Sequence, residues 1–485
     1  GRIPGRKDET ITMKKHNHLI ILATALALLL AQGSLSAAGK PNIIFMLSDD
    51  QGWNGLSVAM HPDIPSSKGA NFHTPNLEKF ASQGMRFSAA YAPAPVCSPT
   101  RISLQTGKSP AALKWTKAAP PEQGRKLTEP ANIKDLSSNE TTVAEILRSA
   151  GYATAHYGKW HIRGGGPGNH GYDEHDGDTG NEQAYKFTDP NPVDIFGMAK
   201  RASAFMEKNK KAGKPFYIQL SWNALHASEN ALKATLAKYE KLGAGKNATR
   251  AAITEDLDTG VGEVLKAVET LGLSDNTYII YMADNGMGGG GGRAPLAGGK
   301  GDVYEAGIRV PFIIRGPGIK ANSWCHTRIV GYDLYPTFCE WAGIPREKLP
   351  RGIEGGSITS LVANNGQGKV TRPREELVFH FPHYQNGETP HSAIFLGNLK
   401  LIKFYEDNRL LLFDISKDLR ESNNLAAKMP QETSNLGRKL SEYLVSVQAQ
   451  MPNPNPKYDP SNPGMENKKG GKKGGKGKPG KPSGN

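Results

Sequence analysis

Ile43-Ile44-Phe45-Met46-Leu47-Ser48-Asp49-Asp50 decides the fold. Its apolar residues run without alternation, as in a strand buried on both faces, and such strands belong to parallel sheets covered by helices. Two carboxylates end the run, and open parallel sheets bind ligands beyond the carboxyl ends of their strands. The pattern recurs along the chain. Strand-like runs at Tyr152–Tyr157, Phe216–Leu220 and Thr277–Met282 alternate with helical segments. A helix is predicted over 75–83, with Thr74 as cap, Pro75 in first position and Gly84 behind it. Another spans 142–150, where Thr142 and Glu145 have capping-box spacing and Gly151 is the stop. Ile253, Leu257, Val261, Val264, Leu265 and Val268 mark one face of a long helix. Residues 39–365 therefore read as an α/β domain on a large, mostly parallel sheet flanked by helices.

The pattern changes after about residue 365. Leu377–Phe381, Ser392–Leu396, Leu399–Tyr405 and Arg409–Asp414 read as antiparallel strands, with a turn at Gly397-Asn398. An amphipathic helix carrying Leu436, Leu440, Tyr443 and Leu444 closes a smaller α+β subdomain over 366–455. No internal repeat is visible.

The two ends differ from the body. In residues 1–38, Lys14 and Lys15 precede the apolar run Leu19–Leu30, and Ser34–Ala38 supplies small residues for cleavage. This is the pattern of a secretory signal after Met13, too short to span a bilayer comfortably. It predicts an exported protein, periplasmic or extracellular, without a transmembrane segment after cleavage. The tail over 456–485 is rich in Lys, Gly and Pro and is expected to be disordered. Leader and tail carry most of the formal charge of +14. The body is near balance, so the basicity does not point to a nucleic-acid partner; it suits attraction to polyanions or an anionic cell surface. Of three cysteines, Cys325 and Cys339 could pair in an exported protein or stay as two thiols, and the sequence leaves both open.

Chemistry gathers at the strand ends. Asp49-Asp50 and Asp284-Asn285-Gly286 supply the oxygens a hard divalent cation requires. Gly158-Lys159-Trp160-His161 and Trp222 through His226 follow two further strands, and Lys300 lies in the flexible Gly298-Gly299-Lys300-Gly301. In Cys97-Ser98-Pro99-Thr100-Arg101, Ser98 suits an N-cap and Pro99 a first helical turn. Residue 97 would then face an anion from the positive end of a helix. Taken singly, each Lys reads as a surface charge, each His as a satisfied side chain and the Cys as a small hydrophobe. Converging with Arg101, they would neutralise an anionic ester.

The pentapeptide Cys97–Arg101 resembles the site at which sulfatases convert cysteine into formylglycine. Over roughly residues 40–450 the chain resembles formylglycine-dependent sulfatases of the alkaline phosphatase-like superfamily, of the bacterial polysaccharide type. The segments that carry the resemblance are Pro41–Gly52, Cys97–Arg101 with Thr106-Gly107, Gly158–His161, Asp284–Gly286 and Gly299–Pro311. The resemblance implies an alkaline phosphatase-like fold and hydrolysis of a sulfated saccharide. It implies one Ca2+ held by Asp49, Asp50, Asp284 and Asn285 with the modified Cys97, and a formylglycine-generating enzyme as maturation partner. Of the aldehyde hydrate's two hydroxyls, one would attack sulfur and the other would later expel sulfate. Arg101 would steady the hydrate, Lys159 and Lys300 would bind sulfate oxygens, His161 would take a proton and His226 would serve as general acid.

Two departures stand out. His226 is followed by Ala227-Ser228 where the family often has His-x-Pro, and Lys108 stands where an Arg commonly follows Thr-Gly. His380–Asn386 resembles a segment bordering the pocket in such enzymes, so His383, Tyr384 and Asn386 are expected to touch the sugar. A second polar loop holds Asp173, His175, Asp176 and Asp178. Two other functions compete: a phosphodiesterase or phosphonate monoester hydrolase of the same superfamily, and a secreted glycan-binding protein without turnover. One cation's ligands, with no second His/Asp cluster, favour the sulfatase, and an intact nucleophile and metal set argues against a mere binder.

Overall fold

The computed structural model describes residues 1, 39–226, 229–287 and 295–461. The expected signal segment, Ala227-Ser228 and most of the basic tail lie outside the described residues. Strands of the main sheet are β1 (Asn42–Ser48), β2 (Met85–Phe87), β3 (Ala153–Gly158), β4 (Glu174–His175), β5 (Phe216–Ser221), β6 (Thr277–Ala283), β7 (Phe312–Arg315) and β8 (Ser323–Cys325). They lie in the order β8-β2-β7-β6-β1-β5-β3-β4. Only β7 runs against its neighbours, pairing antiparallel with both β2 and β6. The sheet is thus mixed and mostly parallel.

The continuous apolar run of β1 has the predicted consequence. Ile43, Phe45 and Leu47 enter one apolar layer, whereas Ile44 and Met46 enter the other. The first layer includes residues of α2 (Cys97–Thr106), α3 (Val143–Ser149) and α6 (Leu334–Trp341). The second is built with α1 (Pro75–Ser82), α4 (Ile195–Lys211) and α5 (Ala248–Thr270), whose predicted stripe is fully or largely buried.

A second, antiparallel sheet comprises β9 (Leu377–Phe381), β10 (His391–Leu396), β11 (Leu399–Phe404) and β12 (Leu410–Asp414). One face packs with Tyr91, Val96, Val303 and Ile308 of the larger body. The other face packs on α7 (Pro430–Ser446) through Leu436, Leu440, Tyr443 and Leu444. Residues 453–455 return to the body, pairing with Leu127–Thr128 and with the Lys126 carbonyl.

Local expectations fare unequally. The capping box is present, with Thr142 accepting from the Glu145 N–H and Glu145 from that of Thr142. Ser98 is not a cap: α2 begins at Cys97, with the extended Val96 before it. Thr74 precedes α1 as expected, but its hydroxyl is held by Ser57 and caps nothing. Cys325 and Cys339 are separate buried thiols, one in β8 and one in α6.

Gly158, the last residue of β3, has a φ of +91°. A Cβ there would overlap the Ser221 carbonyl and the Met198 sulfur. Gly158→Ala should therefore lose about 3 kcal/mol of stability from backbone strain and overpacking together. A lowered urea midpoint at unchanged slope would show it; an unchanged midpoint would contradict it.

Candidate active site

Register places the chemistry on one edge. Leu47 pairs with Ser221 on one side and with Met282 on the other, and Ser221 pairs with Gly158. The four central strands therefore end level, and Asp49-Asp50, Asp284-Asn285, Lys159–His161 and His226 all follow those ends. The first turn of α2 adds Cys97 and Arg101. Gly286 lets the chain turn there, because a Cβ would overlap the Ala306 carbonyl.

The group is buried and charged. Cys97 and Arg101 are 2% exposed, and Asp49, Lys159 and Asp284 are fully buried. Arg101 donates to Asp284 through Nε (3.1 Å) and Nη2 (2.8 Å), to Asp49 through Nη2 (3.4 Å), and to the Lys159 carbonyl through Nη1 (2.6 Å). Lys159 Nζ donates to Asp49, and Lys300 Nζ to Asp50. The Cys97 thiol donates to Asp49 Oδ1 at 3.4 Å, and Lys300 Nζ lies 3.5 Å from its sulfur. His226 Nε2 stands 4.0 Å from Asp50 Oδ2. Asp50 and His161 adopt left-handed backbone conformations (φ 55° and 60°), strain of the sort that marks functional sites.

Electrostatics follow from this packing. Burial opposes ionisation of Asp49, but the Lys159 ammonium and then the Arg101 guanidinium hold its carboxyl well below the usual range. Burial and the Asp49 charge push Asp284 up to about 6. Burial, then Asp284 and Asp49, push the Cys97 thiol well up, so the unmodified sulfur stays protonated. Burial and Lys159 lower His161 to about 2. Burial lowers His226 to about 4 against the pull of Asp49. Both rings are therefore neutral near pH 7.

Asp49, Asp50, Cys97 and Asp284 each offer an atom within 4.8 Å of the others, a group that could hold a metal ion. Asn285 fits that set. Its Nδ2 donates to Asp50 Oδ1 (2.8 Å) and to the Gly286 carbonyl, while its Oδ1 is buried without a partner. Hard oxygen donors and one orphaned amide oxygen suit a divalent cation.

The expected sugar contacts do not assemble in the same way. His383 is fully buried, its Nδ1 bonded to Glu129 (2.7 Å) and its Nε2 to Thr116 (2.7 Å), so neither nitrogen is left for a ligand. Tyr384 is 3% exposed, and its hydroxyl accepts from the Leu127 N–H and donates to Glu406. Asn386 is exposed but donates to the Lys300 carbonyl. His383 and Tyr384 brace the fold here because the strand at Leu377–Phe381 carries them against the 116–129 segment. Of the second polar loop, Asp176 accepts from the Gly158 N–H (2.7 Å) and from Arg201 (2.8 Å).

Thr179 was not legible in the sequence. Its hydroxyl accepts from the Trp160 N–H and donates to the Gly158 carbonyl, and its own carbonyl accepts from the His161 N–H (2.7 Å). It fixes the Lys159–His161 backbone through main-chain bonds that no residue pattern announces. Glu305, Arg309 and Tyr91 form another buried polar group; the first two lie in the Gly299–Pro311 stretch, and Tyr91 joins them from outside it.

Comparison with known proteins gives the chain a family. The family model described as Sulfatase matches residues 41–344, and that described as N-sulphoglucosamine sulphohydrolase, C-terminal, matches 299–450. A sulfatase of Formosa agariphila is 28% identical, over 90% of this chain and 94% of its own length. An ulvan-active sulfatase of the same organism is 28% identical, over 84% and 82%. The solved structure of Ps i-CgsB with k-i-k-neocarrahexaose superposes with a TM-score of 0.69 at 23% identity, covering 84% of this chain and 93% of that one. The chain is a sulfuric ester hydrolase. It belongs to the sulfatase family.

The loop that carries Lys300 contains a further buried acid. Asp302 accepts from the N–H groups of Gly299 (2.8 Å) and Tyr304 (3.1 Å), yet burial and then Glu421 push it up to about 8. A carboxyl raised on folding binds its proton more tightly in the native state. Its contribution to stability is present at low pH and is lost as pH rises from its unfolded value through about 8. Melting temperature should fall between pH 5 and pH 8 in the parent (a span of about 3 units inside that window) and fall less in Asp302→Asn. Identical pH dependence in the two proteins would contradict this.

Proposed function

We propose that the protein hydrolyses sulfate monoesters carried on a carbohydrate, with Cys97 converted to formylglycine by a generating enzyme and a Ca2+ ion held by Asp49, Asp50, Asp284 and Asn285. The observation that carries this reading is the setting of Cys97. Its side chain opens a helix between two carboxylates and the Lys300 ammonium, beside an amide oxygen without a partner. Held neutral there, the thiol is a poor nucleophile, whereas an aldehyde hydrate at residue 97 would supply one without needing a thiolate. A bound Ca2+ would take up negative charge as the ester bond breaks.

The remaining roles belong to this chain's own side chains. Arg101 holds Asp284 and Asp49 in place with three donated bonds and leaves residue 97 fixed one turn away. Lys300, 3.5 Å from the Cys97 sulfur, and Lys159, paired with Asp49, balance the charge of sulfate oxygens. Neutral His161 can accept a proton from the hydrate. His226 faces Asp50 and protonates the leaving alcohol, since an anionic ester bound nearby raises its pKa. Among the described residues a single such ligand cluster occurs, which favours one cation over a two-metal centre.

Room for a sugar lies beside Arg250. A cavity of about 410 Å3 is lined by Lys68, Asn71, Phe72, Asn247, Arg250 and Met287, and Arg250 donates to the Asp50 carbonyl. Amides, a cation and an aromatic face suit a saccharide ring. The relatives' action on ulvan and complex with a carrageenan oligosaccharide agree with a polysaccharide fragment as substrate, and such a substrate fits an exported enzyme, periplasmic or extracellular. No described helix is long and apolar enough to cross a membrane.

Release of inorganic sulfate from sulfated oligosaccharides, with none of phosphate from a phosphodiester, is the expected result, and the reverse selectivity would reject the reading. In the active protein, peptide mass spectrometry should find residue 97 without sulfur, and Cys97→Ala should lose at least about a thousandfold in kcat, the scale of a removed nucleophile. Full turnover with an intact thiol would refute it. Chelation should lower the melting temperature as well as activity, and Ca2+ should restore both. Asp284→Ala should abolish the Ca2+-dependent rise in melting temperature; a rise that persisted would place the ion elsewhere.

A further inference from the structure

Lys300 lies between Gly299 and Gly301, with Gly298 before them. A segment of this composition has no side chains with which to hold a position and a large backbone freedom to lose. Two bonds come from the main body: the Lys300 N–H donates to the Met287 carbonyl (3.0 Å) and the Gly301 N–H to that of Pro95 (2.9 Å). Side chains of the segment also bond Asp50, Tyr91 and Arg309, and a further set of bonds comes from the C-terminal sheet and its loops. Asn386 Nδ2 donates to the Lys300 carbonyl at 2.5 Å. The Gln385 side chain packs over Gly301, where a Cβ would come within 2.6 Å of its amide. His391 is fully buried; its Nδ1–H donates to the Thr389 carbonyl (2.6 Å), which leaves Nε2 to accept from the Val303 N–H (3.0 Å). Glu421 accepts from the Glu305 N–H (2.7 Å), and Lys400 pairs with both acids at 3.0 and 2.7 Å.

Asn386 is the one member of this set that bonds Lys300 itself. It has a φ of 55°, a conformation Asn adopts more readily than most residues, and this turns its amide toward the Lys300 carbonyl. The bond fixes the peptide plane from which the Lys300 side chain leaves for Asp50 and Cys97.

We infer that Asn386 is a positioning residue for Lys300, through which the C-terminal sheet sets where the Lys300 ammonium stands beside residue 97. The inference rests on the reading of Lys300 as a sulfate-binding group. Asn386 acts through Lys300 and not on the sugar.

A double-mutant cycle on a small aryl sulfate tests it. Asn386→Gly keeps the positive φ without strain and removes the donor. It should lower kcat/KM about tenfold, the scale of one lost hydrogen bond. Asn386→Asp keeps the size and the backbone preference but has no N–H to give, and it should lose a similar factor. In a Lys300→Ala background neither change should cost anything further. The same loss in both backgrounds, or a loss confined to saccharide substrates, would overturn the inference and make Asn386 a packing residue or a sugar contact. Unchanged turnover in Lys300→Ala alone would overturn the role of Lys300 and this inference with it, while sulfate release by the parent enzyme would still stand.

Discussion

Asp49 is the group on which the rest of the arrangement depends. A fully buried carboxylate is costly unless it is paired and hydrogen-bonded, and its partners here arrive from separate parts of the chain. Arg101 reaches it from the helix opened by Cys97, and Lys159 from the end of β3. Asp284, from the end of β6, shares the same guanidinium. Breaking such a pair by removing one member costs about 3–5 kcal/mol, because the other charge is left unpaired. The charge balance of the site is thus also a clasp between neighbouring strand ends and α2. Substitution of Arg101 or Lys159 will disturb the fold and the charge balance together, whereas His161 and His226 each keep a buried Nδ1 without a hydrogen-bond partner among the described residues.

The two sheets divide the labour. The mixed sheet brings its central strand ends level, so four chain segments separated by up to about 240 residues meet on one edge. Among the described residues, the antiparallel sheet supplies no member of the metal-ligand cluster on that edge. Its strands grip the 299–305 segment and, through His383, the 116–129 segment. Lys117 donates to Glu129 and to the Tyr384 carbonyl, so that buried His383 sits in a closed polar group with an ammonium and a carboxylate.

What the sequence could tell varied with how local the cause was. The strand at Ile43–Leu47, the stripe of α5 and the capping box at Thr142 and Glu145 are local patterns, and the structure has them. The strand-end residues were legible because chemistry of that kind concentrates after buried strands. Ser98 misled because Ser suits an N-cap, yet the extended Val96 lets the helix start at Cys97, two residues earlier than a cap at Ser98 requires. His383 misled because an imidazole beside an aromatic residue, in a segment that resembles a pocket border, looks like a sugar contact until burial is known. Thr179, Lys400 and Glu421 gave no signal, since their partners are backbone groups or ions more than 15 residues away in sequence. Short strands such as β2 and β8 were missed for the same reason: three residues form a strand only beside a neighbour that tertiary structure supplies.

The order of these parts along the chain has a consequence for synthesis. Every residue of the charged cluster up to Asn285 leaves the ribosome before any of the C-terminal sheet exists. The groups that grip the Lys300 segment, Asn386, His391, Lys400 and Glu421, come 86 or more residues after it. A growing chain therefore passes through a stage at which the carboxylates and Arg101 are complete but only the main body, through Met287, Pro95 and Asp50, holds the glycine-flanked lysine. During that stage the Lys300 segment lacks its C-terminal partners, and it gains the full set only once the chain has been made as far as Glu421.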